Sequence, residues 1–401
     1  MKKSHIDWCP VIPDHWEEKR IKDIAFLQSG NSITAMDIAE EGKYPVYGGN
    51  GLRGYTNNYT NDGDYVLIGR QGALCGNINY AYGKFYATEH AVVVYTKNEE
   101  ITYWLGETLK AANLYRLSMT AAQPGLAVST LNIQFIPYPP RKERIRIANY
   151  LAEKCTEIDH QESLLTSKRD AYLRLKKSII NHAVTHGLNP NVKMKDSGIE
   201  WIGEVPEHWE VKRLKNVVEC NAKSLGENTP KDSIIKYVEI SDVDHVHGIN
   251  NIQSLMFGEA PSRARRITQK GDIIISTVRT YLKAIAKIED DDIIVSTGFA
   301  VLHPTKCNGE YLAYYILSES FINRVEMLSK GTSYPAINAS DLVSINVLIP
   351  PLPEQHAIAT YLGDKCAKID TIVSNLDKQI SRYADLKRSL IDEVITGKRA
   401  V

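Results

Sequence analysis

Residues Glu143–Ala183 read ERIRIANYLAEKCTEIDHQESLLTSKRDAYLRLKKSIINHA. Leu151, Ile158, Leu165, Tyr172 and Ile179 recur every seven residues, with Ile147 and Leu175 on the neighbouring line. Glu, Lys, Arg, Asp and Ser fill the intervals, and no Gly or Pro interrupts them. An apolar line held at that interval marks a helix packed along another helix. At about 1.5 Å per residue the rod is on the order of 60 Å long, too long for the core of one small domain.

Its partner lies in the same chain. Glu354–Val394 carries Leu362, Ile369, Leu376, Tyr383 and Leu390 at the same interval, with Ile358, Ile372 and Leu386 beside them. A shift of 211 aligns the segments with 19 identities over the 47 positions from Pro139 to Thr185, which establishes an internal repeat. The repeat starts earlier. Ile6–Ile24 (IDWCPVIPDHWEEKRIKDI) matches Ile199–Val217 (IEWIGEVPEHWEVKRLKNV) at a shift of 193, including both Trp, the Pro and the His. Each half is therefore an opening motif, a body, a proline-marked exit and a rod. The shift grows from 193 to 211, so the second body is 18 residues longer. Matching frames around dissimilar middles predict one scaffold carrying two different reading heads.

A chain of 401 residues suits two to four compact units. Basic and acidic residues balance at 48 each, so a nucleic-acid surface has to be built from local clusters. No apolar run reaches 18 residues, and MKKSHIDWCP lacks the apolar core of a secretory signal, so a cytoplasmic location is expected. The six cysteines are scattered without a C-x-x-C pair, which argues against zinc and for a reducing compartment. The His of the Pro-x-His-Trp motif is read as part of a turn whose Trp anchors the body on the rod, because one His makes a poor metal site.

The first body, about residues 19–138, is rich in Gly, Tyr and Asn, with strands expected at Asp64–Ile68, Asn77–Tyr82, Ala91–Tyr95 and Leu131–Pro137, and a helix over Trp104–Met119. The second body repeats the plan, with strands at Ile235–Ile240, after Lys270-Gly271-Asp272 and at Ala300–Leu302, and a helix over Tyr311–Leu328. Gly331–Pro335 corresponds to Thr120–Pro124. The expected class is mixed α/β. Hydrolase, zinc-protease, Walker and dinucleotide-binding signatures are missing, as is an Asn/Asp-Pro-Pro-aromatic methyltransferase loop. Asp290-Asp291-Asp292 reads as an acidic turn. Without a catalytic constellation the chain reads as a binding component. DNA suits it, because Arg, Gln and Asn on loops read guanine and adenine edges bidentately, while scattered Lys and Arg fix the backbone.

These residues resemble the specificity subunits of type I restriction-modification enzymes. The likeness rests on the W-x3-[IV]-P-x-H-W motifs at Trp8 and Trp201, YPVYGGNG at Tyr44–Gly51, GDIII at Gly271–Ile275, and IPPLPEQHAIATYL at Ile349–Leu362. The first exit departs from it, with Arg144 where the second has Gln355. The resemblance implies target recognition domains at residues 1–142 and 188–350, and spacer helices at 143–187 and 351–401. The helices would form an antiparallel coiled coil with approximate two-fold symmetry, setting the gap between two DNA half-sites. It implies double-stranded DNA, two modification (methyltransferase) subunits and restriction (translocase/nuclease) subunits as partners. S-adenosylmethionine, ATP and Mg would sit on those partners and no cofactor or metal on this chain, which would not be catalytic. A specificity protein serving a methyltransferase alone, or a coiled-coil interaction protein without nucleic acid, are the rival readings.

For DNA contact the expected residues are Asn50, Arg53, Tyr55, Arg70, Gln71 and Lys84 in the first body. In the second they are Arg263, Arg265, Arg266, Arg279, Tyr281, Lys283 and Tyr334. The expected coiled-coil core is Ile147, Leu151, Ile158, Leu165, Tyr172, Leu175 and Ile179 against Ile358, Leu362, Ile369, Leu376, Tyr383, Leu386 and Leu390.

Overall fold

The computed structural model describes residues 1–97, 101–118, 124–245 and 247–401. The chain divides into two compact units: Met1–Thr166 with Lys378–Val401, and Ser167–Asp377. The division falls inside two long helices, α1 (Arg141–His186) and α2 (Leu352–Ile395). Each body therefore claims the start of one helix and the end of the other. The expected limits at 142/143 and 350/351 fall within two residues of the helix starts at Arg141 and Leu352, not at the division between the units.

In unit 1 the strands of the two main sheets are β1 (Ala25–Ser29), β2 (Tyr44–Gly48), β3 (Gly51–Thr56), β4 (Asn61–Asp62), β5 (Tyr65–Gly69), β6 (Ile78–Ala81), β7 (Lys84–Ala87) and β8 (Ala91–Thr96). They form two four-stranded sheets, ordered β3-β2-β7-β4 and β1-β8-β5-β6, with β2 and β7 parallel. In unit 2 they are β9 (Val218–Cys220), β10 (Ile234–Val238), β11 (Gln253–Met256), β12 (Ala264–Ile267), β13 (Ile273–Ser276), β14 (Ile285–Lys287), β15 (Ile293–Ser296) and β16 (Phe299–Pro304). Their orders are β11-β10-β15-β12 and β9-β16-β13-β14, with β10 and β15 parallel. The two middles, dissimilar in sequence, thus share one topology. The longer second body spends residues between β10 and β11, where a small hairpin (Val243–Asp244 with Gly248–Ile249) replaces the two-residue turn Gly49-Asn50.

Frame and helix are joined the same way in each unit. Glu17–Arg20 pairs antiparallel with Phe135–Tyr138, and Glu210–Arg213 with Asn346–Ile349, so the opening and exit segments are zipped together where the helix starts. His15 meets Glu143 at 2.9 Å and His208 meets Glu354 at 2.6 Å. Trp16 and Trp209 are each 1% exposed and belong to cores that include the far end of a long helix: Leu390, Val394 and Ile395 in unit 1, Ile180, Ala183 and Val184 in unit 2. Arg144 and Gln355 do the same work despite their chemistry. Arg144 Nη1 donates to Pro139 O and Gln355 Nε2 to Pro350 O, both at 2.7 Å, closing equivalent turns.

The helices pack antiparallel within each unit. In unit 1 Lys387 Nζ lies 2.6 Å from Asp159. In unit 2 Lys176 Nζ lies 2.6 Å from Asp370 and Arg169 Nη1 3.5 Å from Asp377. The residue numbers of each pair add to the same total, so one register describes all three. Leu151, Ile158, Leu362, Ile369, Leu376 and Leu390 are buried, and Leu165, Tyr172, Ile179 and Tyr383 half-buried. Leu175 and Leu386, placed in the core by their spacing, are instead 47% and 52% exposed. The second inward line runs through Ala148, Cys155, Glu162, Arg169, Lys176 and Ala183, and through Ala359, Cys366, Val373, Ile380, Lys387 and Val394. Its polar members hide it from an apolar count. Ile147 and Ile358 share the exposed line of Leu175 and Leu386 but lie at helix starts, where the bodies cover them.

Three other expectations change. The strand expected at Leu131–Pro137 is confined to Phe135–Tyr138, because Val128–Asn132 forms a short helix that takes up Leu131. The helix over Trp104–Met119 ends at Ala111, with Asn113 in a left-handed conformation (φ 45°), and Met119 lies outside the described residues. The helix over Tyr311–Leu328 is two, Gly309–Ile316 and Glu319–Leu328, because the Ser318 hydroxyl accepts from Phe321 N and starts a new helix. All six cysteines are free, and among the described residues no helix is long and apolar enough to cross a membrane.

Candidate nucleic-acid interface

In unit 1 three loops meet at one end of the sheets. The turn Gly49-Asn50 lies against the loop after β5: a Cβ on Gly69 would fall 2.1 Å from Gly49 O, and one on Gly49 3.1 Å from His90 O. Arg70 N donates to His90 O at 2.9 Å, and Arg70 Nη1 donates to Ser29 Oγ at 3.1 Å, holding the guanidinium beside the end of β1. Asn77 Nδ2 donates to Asn50 Oδ1 at 3.3 Å. The stem of Arg53 lies over Gly48. Asn50, Arg53, Arg70 and Gln71 are thus brought together, the first two and Gln71 exposed. A bridge between Gln71 and Gly125, with Gly72 N donating to Pro124 O, straps this loop from outside.

Two expected residues lie elsewhere. Lys84 begins β7, about 10 Å back along the strand, with Nζ 3.9 Å from Asp62 and 4.8 Å from the Tyr59 ring centre. Tyr55 is half-buried, its backbone bridged to Ala39.

Unit 2 builds the same corner from other residues. The loop after β13 is strapped by Val278–Ala336, and Ile337 N donates to Thr277 O at 2.9 Å. Thr277 N donates to Gly298 O and Thr297 N to Arg263 O, both at 2.8 Å, which draws Arg263 into the group. Arg279 lies 5.0 Å from the ring centre of Tyr334, itself 66% exposed. Arg263 Nη2 donates to Glu239 Oε1 at 2.8 Å. Arg263, Arg279, Tyr281 and Tyr334 therefore share one corner.

Arg265 and Arg266 do not join it. They run along β12, Arg265 over the Phe257 ring at 4.8 Å and Arg266 half-buried with its backbone bridged to Ser224. Lys283 turns back to Glu326 at 3.5 Å. Sequence reasoning passed over His90 and Asn77, which the fold alone delivers, and the exposed Leu74 and Val278. Of the segment matched to Gly331–Pro335, Thr120–Gln123 lie outside the described residues.

The corners present forked cations, amides and aromatic faces on loops anchored to a rigid sheet. That suits hydrogen bonding to base edges and stacking on bases. Among the described residues no group of His, Cys, Asp and Glu is arranged to hold a metal.

A family model, Type I restriction modification DNA specificity domain, matches residues 13–164 and again 206–382. The MjaVIII specificity subunit of Methanocaldococcus jannaschii is 24% identical over 410 residues, covering 96% of this chain and 93% of that protein. The EcoprrI specificity subunit of Escherichia coli is 42% identical over 139 residues, which span 34% of this chain and 35% of that one. Among solved structures, a chain from work on complex assembly and conformational transition of the type I R-M system superposes with a TM-score of 0.68. It is 15% identical, over 97% of this chain and all of that one, and shares the fold.

Proposed function

Because the chain belongs to the family of type I restriction modification DNA specificity domains, we propose that it reads a two-part site on double-stranded DNA, one half per body. The observation that carries this reading is the recurrence of one loop corner in two units of identical topology, filled with different side chains. In the first, Asn50, Arg53, Arg70 and Gln71 read the bases; in the second, Arg263, Arg279, Tyr281 and Tyr334 do so. Lys84, Tyr55, Arg265, Arg266 and Lys283 lie off the corners and serve the backbone or the fold.

α1 continues unbroken from one unit into the other, so the paired helices act as the spacer that fixes the gap between half-sites. Joining two weak readers on a stiff spacer makes the second contact intramolecular, and only at the matching distance. The chain itself does no chemistry. Methyl transfer from S-adenosylmethionine belongs to two modification subunits, and ATP- and Mg-dependent translocation and cleavage to restriction subunits, all docked on this cytoplasmic protein.

The test compares Arg70→Ala and Arg279→Ala in the assembled complex. A lost bidentate base contact costs about 1–3 kcal/mol, so each variant should bind roughly 5- to 150-fold more weakly and relax preference in one half-site only. Full affinity in both variants, or relaxation of the same half by both, overturns the assignment.

A further inference from the structure

The loops that follow β5 and β13 read GRQGALCGN (Gly69–Asn77) and STVRTYLKA (Ser276–Ala284), with almost nothing in common. Their backbones are the same. Gly69 N donates to Asn77 O at 2.8 Å and Ser276 N to Ala284 O at 2.9 Å, closing each loop at its base. Inside, Cys75 N donates to Gly72 O at 3.0 Å and Leu282 N to Arg279 O at 2.9 Å. Two positions four residues apart have positive φ in both: Gly72 and Gly76 at 85°, Arg279 and Lys283 at 52°. Glycine takes that conformation freely. Arg and Lys do not, and such strain persists only where surrounding contacts impose it, commonly at functional sites.

Those contacts are present. Thr280, 5% exposed, donates its hydroxyl to Ser329 Oγ at 2.8 Å, while Cys75, 2% exposed, donates its thiol to Arg70 O at 3.4 Å. Each loop is therefore pinned at its base, along its outer strap and through a buried side chain. The pinned loops hold out large apolar side chains, Leu74 at 51% exposure in one and Val278, Tyr281 and Leu282 in the other, and the exposed position common to both is that of Leu74 and Tyr281, the latter at 52%. The two occupy the same position, between the paired positive-φ residues.

We propose that Leu74 and Tyr281 are equivalent wedges, each pressing into the base stack of its own half-site beside the residues that read base edges. This rests on the DNA reading above. A bulky apolar tip on a loop that also carries Arg70 and Gln71, or Arg279, gains by leaving water only against an apolar face. The face a duplex offers is the flat side of a base, reached by partly unstacking one step. The pinning suits that task, because a tip that yields cannot part a base step.

The test uses the full chain assembled with its partner subunits, and duplexes enriched by that complex from a random-sequence pool. 2-Aminopurine, which brightens when unstacked, replaces each purine in turn. The wild type should brighten one step in each half. Leu74→Ser should abolish the signal in the first half alone and Tyr281→Ser in the second alone, each weakening binding roughly ten-fold, in the range of one lost base-stacking contact. A mismatch at the same step, already unstacked, should restore most of that loss, and Tyr281→Leu should keep the signal. Enrichment of a site with no brightened step, variants that keep both signals, or an affinity that tracks thymine methyls through uracil replacement overturns the wedge. Failure to enrich any sequence overturns instead the DNA reading beneath it.

Discussion

Removing one heptad from each long helix should move the preferred gap between half-sites while leaving the half-sites unchanged. His160–Thr166 and Ile380–Leu386 face one another in unit 1, next to the Asp159–Lys387 pair. Cutting both keeps that pair and the ion pairs at Arg169 and Lys176. It removes one inward residue per line from each helix, Glu162 and Leu165 with Ile380 and Tyr383, so the seam closes in register. Seven residues of helix are about 10.5 Å. Duplex DNA rises about 3.4 Å per base pair, so the optimum gap should shorten by about three base pairs. Three base pairs carry roughly 100° of twist, whereas a heptad changes helix phase by only about 20°. The shortened protein should therefore bind its new optimum more weakly than the wild type binds its own. Binding to duplexes with a graded set of gaps measures both effects. An optimum that stays where it was refutes the spacer argument, and half-sites that change refute the independence of the two readers.

Further tests address the frame. Trp16→Ala or Trp209→Ala should cost about 3–5 kcal/mol in denaturant unfolding, as removal of a fully buried Trp does, with loss concentrated in the unit that holds it. Lys176→Asp should lower stability by up to about 1 kcal/mol, and adding Asp370→Lys should recover it. The pair Lys387 and Asp159 should behave alike, and a double-mutant cycle showing no coupling removes these residues as register markers. His245 is held below the usual histidine range by burial, then by the Lys177 and Lys283 charges. It stays neutral in the fold at pH values where the unfolded chain binds a proton, so stability contributed by the neutral ring is present at higher pH. That contribution should fall as pH drops through about 6.5. His245→Gln should flatten this part of the profile, and an unchanged slope contradicts the assignment.

The frame was legible because its signals are repeated and redundant. Two heptad lines, two Pro-x-His-Trp motifs and two proline exits each confirm the other, and the structure puts Trp16 and Trp209 in the helix-anchoring role their motif suggested. Leu175 and Leu386 were misjudged because hydrophobicity does not reveal inward positions filled by Arg169, Lys176 and Lys387, which are satisfied by Asp across the seam. The common plan of the two bodies was legible only in outline, and their shared strand order not at all, for another reason. Strands such as Tyr44–Gly48 and Ile234–Val238 need only apolar alternation and permit unrelated residues. The loop corners were legible in part: Arg70 and Arg279 stood out as long cations just past a strand. That Arg279 and Lys283 repeat the backbone of Gly72 and Gly76 could not be read, because positive φ announces itself in sequence mainly through Gly.

Mapping modified bases across the genome of a host with and without this chain tests most directly whether two unlike readers on one frame address one split DNA site. Two short sequence elements separated by a fixed, unspecified gap, marked only when the chain is present, are predicted. A single uninterrupted motif, or a pattern that does not depend on the chain, contradicts the account.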